Sequence, residues 1–430
     1  MVSSRDAGDT EEILVMISEE VSTYRPGEAQ TLEQTGLSFS PVLDLVLKCA
    51  YLEGTVTLSM LAERTKLSLT IIHAVYRYLQ KEHLCDTRIM IGNDYEIALT
   101  AKGRSMSDVA FKKNQYAGPA PVTLDSYRHA VSAQALSLNL TLPSLKAAMS
   151  DLVLADTVIR ELGAGLVTGG SLLLYGSTGN GKTSIAERLP RIFTNDSVYI
   201  PYAVEIGGQL MTIYDPLLHK PLADPDGSPD PRWVLCRRPM VKVGGEMRAD
   251  MLDTRMDEST RICTAPLQVK ANNGILLIDD FGRQRITARE LLNRWIVPMD
   301  RRHDILSLSG MSFEVPFELL VVFATNLMLS DLAEDAFMRR LTNKIKIEPL
   351  GRELFLDLFR RVCRERQLPC SPEMEEYVLQ KCLQHAPEGL RGCFPNDLTK
   401  IIRGISAFEE RPAVADRATV DEAMKVYFGD

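Results

Sequence analysis

The sequence predicts an α/β fold for the middle of the chain, with a small helical module before it and an all-helical domain after it. An apolar strand at 171–175 leads into a glycine-rich turn and then a helical pattern. Two more apolar strands, at 274–278 and 317–325, each end in polar side chains. From residue 346 onward, apolar residues recur with helical spacing. Strands that alternate with helices in this way are typical of a parallel sheet with helices on its faces.

Length and composition restrict the class of protein. The 430 residues are enough for about three domains of ordinary size. Hydrophobic residues make up 45% and charged residues 25%, which is typical of a globular protein and excludes a disordered chain, a collagen or a small disulfide scaffold. The formal net charge of −8 excludes a globally basic nucleic-acid binder.

The sequence predicts a cytoplasmic protein without a membrane segment. Its apolar runs, such as 318–324, fall far short of the roughly 18 residues that a membrane helix needs. The first residues are acidic and lack the basic and apolar regions of a secretory signal. The eight cysteines are scattered and form no C-x-x-C, so we expect reduced and mostly buried thiols.

Changes in composition and pattern divide the chain into five stretches. Residues 1–40 carry eight acidic residues against two arginines and are expected to be a weakly structured lead. The other predicted stretches are a module at 41–113, a linker at 114–142, an α/β core at 143–345 with an insertion at about 200–250, and an α-helical domain at 346–430.

The module at 41–113 has the element order of a winged helix-turn-helix domain. Helical patterns cover 41–54, 58–66 and 68–84, and apolar–polar alternation around Gly92-Asn93-Asp94 indicates a β-hairpin. The segment ALTAKGR at 98–104 resembles the end of the wing in bacterial winged-helix proteins of the MarR/PadR kind.

The third helix of this module is the candidate DNA-reading helix, within a possible DNA-binding stretch at 59–104. It offers Thr70, His73, Arg77 and Lys81. That is a small set for a helix that must contact base edges and several phosphates. DNA binding and protein docking therefore both stay open for the module.

The strongest motif is a complete G-x-x-x-x-G-K-[ST] between the first strand and its helix. Its glycines allow backbone N–H groups to turn inward around a phosphate, and the helix N-terminus adds positive potential. We expect Lys182 to reach the β- and γ-phosphates of ATP and the Thr183 hydroxyl to ligate Mg²⁺. The predicted nucleotide-binding residues are Gly176, Ser177, Thr178, Gly179, Asn180, Gly181, Lys182 and Thr183.

Polar residues at the ends of the two later strands predict the remaining chemistry. Asp279 is expected to hold the water shell of Mg²⁺, as a metal ligand together with Thr183. Asp280 is expected to orient or deprotonate the attacking water. Asn326 would hold that water near the γ-phosphate. The carboxyl ends of parallel strands meet at one sheet edge, so these groups should lie beside the P-loop.

The order of P-loop, acid-tipped strand, polar-tipped strand, arginine pair and helical tail resembles that of the AAA+ ATPases. The resemblance covers 143–430 and implies an αβα P-loop core with an α-helical lid, ATP hydrolysis to ADP and phosphate, and a ring, often of six subunits. It also implies that the acid-tipped strand is the Walker B motif and Asn326 is sensor 1. Arg339 or Arg340 would reach the γ-phosphate of a neighbouring subunit.

Three features depart from the usual AAA+ pattern. The Walker B motif ends in Asp280 where glutamate is usual, which shortens the side chain by about 1.5 Å, so we expect slow turnover. Arg391 is a candidate sensor 2, although the following PNDL word resembles lids that lack this arginine. The insertion at 200–250 is either ornamental or a basic surface facing a pore or partner, formed by Arg237, Arg238, Lys242 and Arg248.

A predicted hairpin at 303–315 resembles an insertion in the MoxR and magnesium-chelatase branch, whose members act as chaperone-like remodellers. The stretch 232–345, with its FGRQ word, also resembles bacterial AAA+ proteins described as predicted ATPases with chaperone activity. The sequence supports three functions: an ATPase that oligomerises and remodels or assembles an unidentified protein partner, a DNA-binding ATP switch such as a loader or transcriptional regulator, and a nucleotide-binding scaffold without turnover.

Overall fold

The structure is a computed structural model that describes residues 24–92, 94–136, 140–193, 197–224, 230–332 and 341–429. Its α-helices are α1 (Leu32–Thr35), α2 (Phe39–Glu53), α3 (Leu58–Thr65), α4 (Leu69–Lys81), α5 (Ala101–Lys113), α6 (Leu124–Ala133), α7 (Leu142–Ala148), α8 (Asp156–Thr168), α9 (Lys182–Arg188), α10 (Leu267–Lys270), α11 (Ala288–Arg301), α12 (Leu329–Leu332), α13 (Arg352–Glu365), α14 (Pro372–His385), α15 (Phe394–Phe408) and α16 (Arg417–Phe428). Its strands are β1 (Thr55–Thr57), β2 (Cys85–Ile91), β3 (Asp94–Leu99), β4 (Val122–Thr123), β5 (Leu172–Tyr175), β6 (Ser197–Pro201), β7 (Ala203–Ile206), β8 (Gln209–Thr212), β9 (Trp233–Arg237), β10 (Met240–Val243), β11 (Arg255–Met256), β12 (Cys263–Thr264), β13 (Ile275–Ile278), β14 (His303–Leu308), β15 (Met311–Pro316), β16 (Leu320–Thr325) and β17 (Asn343–Lys346).

These elements form two units. The first unit comprises 1–135, 197–237 and 256–264, and the second comprises 136–196, 238–255 and 265–430. None of the helices in the described ranges combines the length and the apolar character required to span a bilayer.

The first unit begins with α2–α5 and a three-stranded antiparallel sheet in the order β1-β3-β2. The helices start at hydroxyl side chains: those of Thr57, Ser68 and Thr100 each accept a hydrogen bond from an amide in the first helical turn. Leu58 and Leu79 are fully buried in the core between the helices and the sheet. Helix, strand, helix, helix, hairpin and helix therefore follow one another in this part of the chain.

The interpretation of 114–142 as a linker differs from the structure. Within that range β4 pairs with β7, and α6 buries Tyr127, Ala130 and Val131 at helical spacing. The Thr123 side chain caps α6 by accepting from the amide of Ser126. Prolines just before β4 give the sequence a linker-like appearance, although the residues after them pack in the first unit.

The predicted insertion also differs from the structure in its extent. Its strands β6 and β9 pair antiparallel, and β8 lies between β7 and β12 in the first unit. Arg232 and Asp230 form a buried ion pair at 2.7 Å. Arg232 also donates a hydrogen bond to the carbonyl of Pro121, just before β4. In contrast, β10 is part of the central sheet of the second unit, so the core resumes at residue 238.

The second unit contains a five-stranded parallel sheet in the order β10-β13-β16-β5-β17. Every residue of β13 and β16 is buried, as expected for central strands of a sheet that is covered on both faces. The residue before β13 is Gly274, and a Cβ at this position would overlap Pro239. The predicted α/β P-loop fold class is confirmed.

Two further parts complete the second unit. The strands β14 and β15 form an antiparallel hairpin after α11, and the buried carboxylate of Asp304 at its base accepts from Arg294 at 2.6 Å.

Helices α13–α16 enclose an apolar core of their own, which includes Phe355, Phe359 and Leu398. Four helices with one core thus lie within 346–430, and their role as a lid stays a prediction.

Candidate nucleotide site

The glycine-rich loop at 176–181 joins β5 to α9 at the carboxyl edge of the parallel sheet. Gly176, Gly179 and Gly181 have φ of 135°, 85° and 87°, a region that side chains with a Cβ avoid. A Cβ at Gly176 would also clash with the carbonyl oxygen of Ile347. The loop conformation therefore requires the glycines of the motif.

The loop offers amide groups to a ligand. The loop leads into the first turn of α9, whose amides have no intrahelical acceptor. Among the described residues, the buried side-chain oxygen Oδ1 of Asn180 has no hydrogen-bond partner. A glycine-rich loop before a helix N-terminus forms an anion site, so the loop fits the phosphates of a nucleotide.

Lys182 lies across this loop. Its Nζ donates to the carbonyl oxygens of Gly176 and Ser177 at 2.9 and 2.8 Å. Burial lowers the pKa of Lys182, and the nearby carboxylates of Asp280 and Asp279 act in the opposite direction. The ammonium group is thus held at the mouth of the loop, within reach of a phosphate bound there.

Asp279 meets Thr183 at the end of β13. The Thr183 hydroxyl donates to Oδ1 of Asp279 at 2.9 Å, and the amide of Asp280 donates to the same oxygen at 3.1 Å. Hydroxyl and carboxylate oxygens are the hard ligands that Mg²⁺ prefers. The two residues fit the predicted metal site, where Mg²⁺ would neutralise phosphate charge.

Asp280 is exposed and has a φ of 50°, in the left-handed region. Gln284 holds this turn: its Nε2 donates to the carbonyls of Asp279 and Asp280 at 2.8 and 3.1 Å, and its Oε1 accepts from the amide of Gly282 at 2.8 Å. The strained conformation of Asp280 is therefore fixed by a side chain that the sequence did not single out.

Asn326 follows β16 and links that strand to the loop. Its Nδ2 donates to the hydroxyl of Thr178 at 3.0 Å. Its Oδ1 is buried and has no hydrogen-bond partner among the described residues. A buried amide oxygen without a partner costs free energy, and a water or ligand hydroxyl at this position would satisfy it.

These groups share one cavity of about 570 Å³, a size typical of ligand sites. One wall consists of loop residues 178–184, the two strand-end carboxylates and Asn326. Apolar side chains line the other part: Leu152, Val153, Leu154, Leu350, Leu358 and Val362. The cavity thus combines a polar phosphate end with an apolar region that suits a planar base.

The helical domain contributes directly to this cavity. Cys393, at the start of α15, donates its amide to the carbonyl of Gly179 at 2.8 Å. A Cβ on Gly179 would lie only 2.6 Å from the Cys393 sulfur. Gly179 therefore also permits the close approach of α15.

Arg391, the predicted sensor 2, is not among the described residues that line the cavity. Its guanidinium pairs with Glu388 at 3.2 Å, and its neighbours Gly392 and Cys393 line the cavity in its place. Arg339 and Arg340, the predicted finger pair, lie outside the described residues.

Several residues at the cavity were not predicted from sequence. Arg361 of α13 lines it and donates to the carbonyl of Ser150 at 2.9 Å, and Arg188 is held by Asp151 at 2.9 Å. Lys242, expected on a basic partner-facing surface, instead pairs with Asp279 at 3.2 Å. In the sequence, nothing distinguishes these charged side chains from solvated ones.

Two other residues of that predicted basic surface also have local contacts. Arg248 pairs with Asp250 at 3.0 Å. Arg238 donates to the carbonyl of Asn273 at 2.8 Å and lies over the ring of Phe193. Arg237 is exposed.

The sequence profile of one family, described as "Domain of unknown function (DUF8689)", matches residues 351–426. That range corresponds to α13–α16. No protein among the curated sequences matches the chain.

Solved structures with similarity to the chain include NtrX from Brucella abortus in complex with ADP, with 14% identity, coverage of 77% of this chain and 66% of that chain, and a TM-score of 0.41. A RuvB mutant from Thermotoga maritima has 14% identity, coverage of 71% and 72%, and a TM-score of 0.36. The complex between subunits BchI and BchD of magnesium chelatase has 16% identity, coverage of 69% and 94%, and a TM-score of 0.32. The chain spans 66% of the length of that NtrX chain, and 54% of the length of the NtrX chain in a second structure from Brucella abortus. At this level of similarity neither activity nor partner is assigned.

Proposed function

We propose that the chain is an AAA+ ATPase that hydrolyses ATP to ADP and phosphate with Mg²⁺. The observation that carries this proposal is the single cavity that is shared by the P-loop, Asp279, Asp280 and Asn326 and is lined in part by the helical domain. Phosphate, metal and water-directing groups are the parts that phosphoryl transfer to water requires.

Each residue has a distinct part in the proposed reaction. Lys182 exchanges the loop carbonyls for phosphate oxygens, while Thr183 and Asp279 hold Mg²⁺, which offsets the phosphate charge. Asp280 orients the attacking water or accepts its proton. Asn326 offers its Oδ1 to the same water. The turn held by Gln284 keeps the Asp280 carboxylate at the cavity.

We also propose that ATP promotes self-association into a ring, with six subunits as the expected size. In the described ranges, the arginines that line the cavity are Arg188 and Arg361, and both already contact neighbouring groups. An arginine from a second subunit, Arg339 or Arg340 in sequence, would supply the missing positive charge at the γ-phosphate. The oligomer would remodel or assemble a protein partner in the cytoplasm.

The decisive experiment is steady-state ATP hydrolysis with and without duplex DNA at physiological salt, with Lys182→Ala as the blank. Turnover that is absent in Lys182→Ala and indifferent to DNA would support the remodelling ATPase. Nucleotide binding without turnover would support a scaffold instead.

A DNA-dependent switch is the second candidate, and the exposed face of α4 favours it. We propose that α2–α5 with their hairpin form a winged helix-turn-helix module. Its α4 exposes Thr70, Arg77 and Lys81, whereas His73 is half-buried. Stimulation of turnover by DNA, lost in Arg77→Ala plus Lys81→Ala and weakened steeply by salt, would establish this function. DNA binding that the double variant leaves unchanged would exclude α4 as the reader.

A further inference from the structure

Lys242 forms an ion pair with the predicted metal ligand of the site. Its Nζ lies 3.2 Å from Oδ2 of Asp279 and 2.8 Å from Oε1 of Glu187. Lys242 is on β10, Asp279 follows the adjacent strand β13, and Glu187 is on the helix that starts at the P-loop. One ammonium group therefore connects three elements of the second unit.

The two carboxylate oxygens of Asp279 have different partners. Oδ1 accepts from Thr183, whereas Oδ2 faces Lys242. This division fixes the rotation of the carboxylate and keeps Oδ1 directed at the Thr183 hydroxyl. Glu187 holds the Lys242 ammonium from its other side.

We propose that Lys242 lowers the affinity of the site for Mg²⁺ and that Glu187 limits this effect. The inference rests on the proposed function, because it concerns the metal that accompanies the nucleotide. A positive charge in contact with Asp279 opposes the binding of a second cation to the same carboxylate. Glu187 pairs with that charge and reduces its field at the metal.

This arrangement predicts opposite effects for two substitutions that break the same ion pair. Lys242→Met removes the positive charge and should lower the Mg²⁺ concentration for half-maximal ADP binding by roughly threefold to tenfold. Glu187→Gln leaves the ammonium without its compensating charge and should raise that concentration by roughly twofold to fivefold. A merely structural bridge would give both variants the same direction of change.

The test is calorimetric ADP binding to the full chain at a series of Mg²⁺ concentrations, with thermal unfolding as the check on folding. Lys242→Arg keeps the charge and should bind Mg²⁺ within about twofold of the wild type. Shifts of the same sign in Lys242→Met and Glu187→Gln, or no shift in either, would overturn the inference. The expected opposite shifts without any ATP turnover would support it while contradicting the ATPase proposal. Absence of ADP binding in the wild type at every Mg²⁺ concentration would overturn both.

Discussion

The Thr183 hydroxyl donates a hydrogen bond to the carboxylate of Asp279 at 2.9 Å, although 96 positions separate the two residues in the chain. The contact joins the start of α9 to the end of β13, so it forms only when the parallel sheet is assembled. Both residues are oxygen ligands of the kind that Mg²⁺ selects.

Thr183→Val replaces this hydroxyl with a methyl group of similar volume. We expect ADP binding in the presence of Mg²⁺ to weaken by about tenfold, because a hydrogen bond to a charged group and a metal ligand are lost together. Binding in EDTA should change little. Calorimetry under both conditions gives the comparison, and Thr168→Val, whose hydroxyl donates to the carbonyl of Ala164, is the matched control. Equal losses with and without Mg²⁺ would contradict a metal-specific role.

Gln284→Ala should release the turn that holds Asp280 at its positive φ. We expect kcat to fall by roughly tenfold with little change in the binding of ADP, because Gln284 contacts the turn and lies outside the cavity lining. Gln284→Glu retains an acceptor for Gly282 but cannot donate to the two carbonyls, so it should behave like alanine. Steady-state kinetics and ADP calorimetry on both variants separate the two quantities. A rise in KM alone would exclude a positioning role.

Asp280→Asn should bind ATP and retain it, because the amide keeps the size of the carboxylate but cannot accept a proton. We expect turnover at least about 100-fold below wild type and a larger ATP-dependent oligomer that persists during size-exclusion chromatography. Light scattering on the eluted protein measures its mass. Asp421→Asn makes the same change in the helical domain, outside the cavity, and is the control. A variant that hydrolyses ATP at the wild-type rate would remove Asp280 from the mechanism.

Lys48 should make the free energy of unfolding depend on pH in the alkaline range. Burial is the main cause that lowers its pKa from 10.5 to about 8, while its Nζ donates to Oδ1 of Asn114 at 2.8 Å. The folded pKa lies below the unfolded one, so between these values the unfolded chain binds more protons and stability rises with pH. From pH 7 to 9.5 the free energy of unfolding should increase by on the order of 1–2 kcal/mol relative to Lys48→Met.

Urea unfolding at the two pH values measures this difference. Lys102→Met removes an exposed lysine and is the matched control. If the free energy of unfolding changes equally in the wild type and in Lys48→Met between the two pH values, Lys48 does not have a lowered pKa.

The glycine-rich loop and the location of Asp279 and Asp280 at the end of a buried strand were predictable because contiguous sequence determines both. Glycines at 176, 179 and 181 are needed by local backbone geometry, and four buried residues directly precede Asp279. The helices α13–α16 were predictable for the same reason: their apolar spacing and helix starts, such as Ser371 before Pro372, are local signals.

The contacts that complete the site were not predictable, because they depend on which elements become neighbours. Nothing near Cys393 indicates that its amide will reach Gly179, and nothing near Lys242 distinguishes an ion pair with Asp279 from a solvated lysine. The range 114–142 has prolines that are typical of a linker. Its two-residue strand β4 gives no sequence signal, because the partner strand β7 lies far along the chain.

The division of the first unit into three segments has a consequence for synthesis on the ribosome. β4 waits for β7, about 80 residues later, before it can pair, and at 5–20 residues per second that interval lasts roughly 4–16 s. The P-loop lies between β4 and β7 in the sequence, and β10 of the second unit lies between β8 and its partner β12. The nascent chain must therefore release the phosphate-binding loop before its amino-terminal unit is complete. Chaperones would meet a partly paired sheet during that time, and a pause in translation before residue 264 would prolong its exposure.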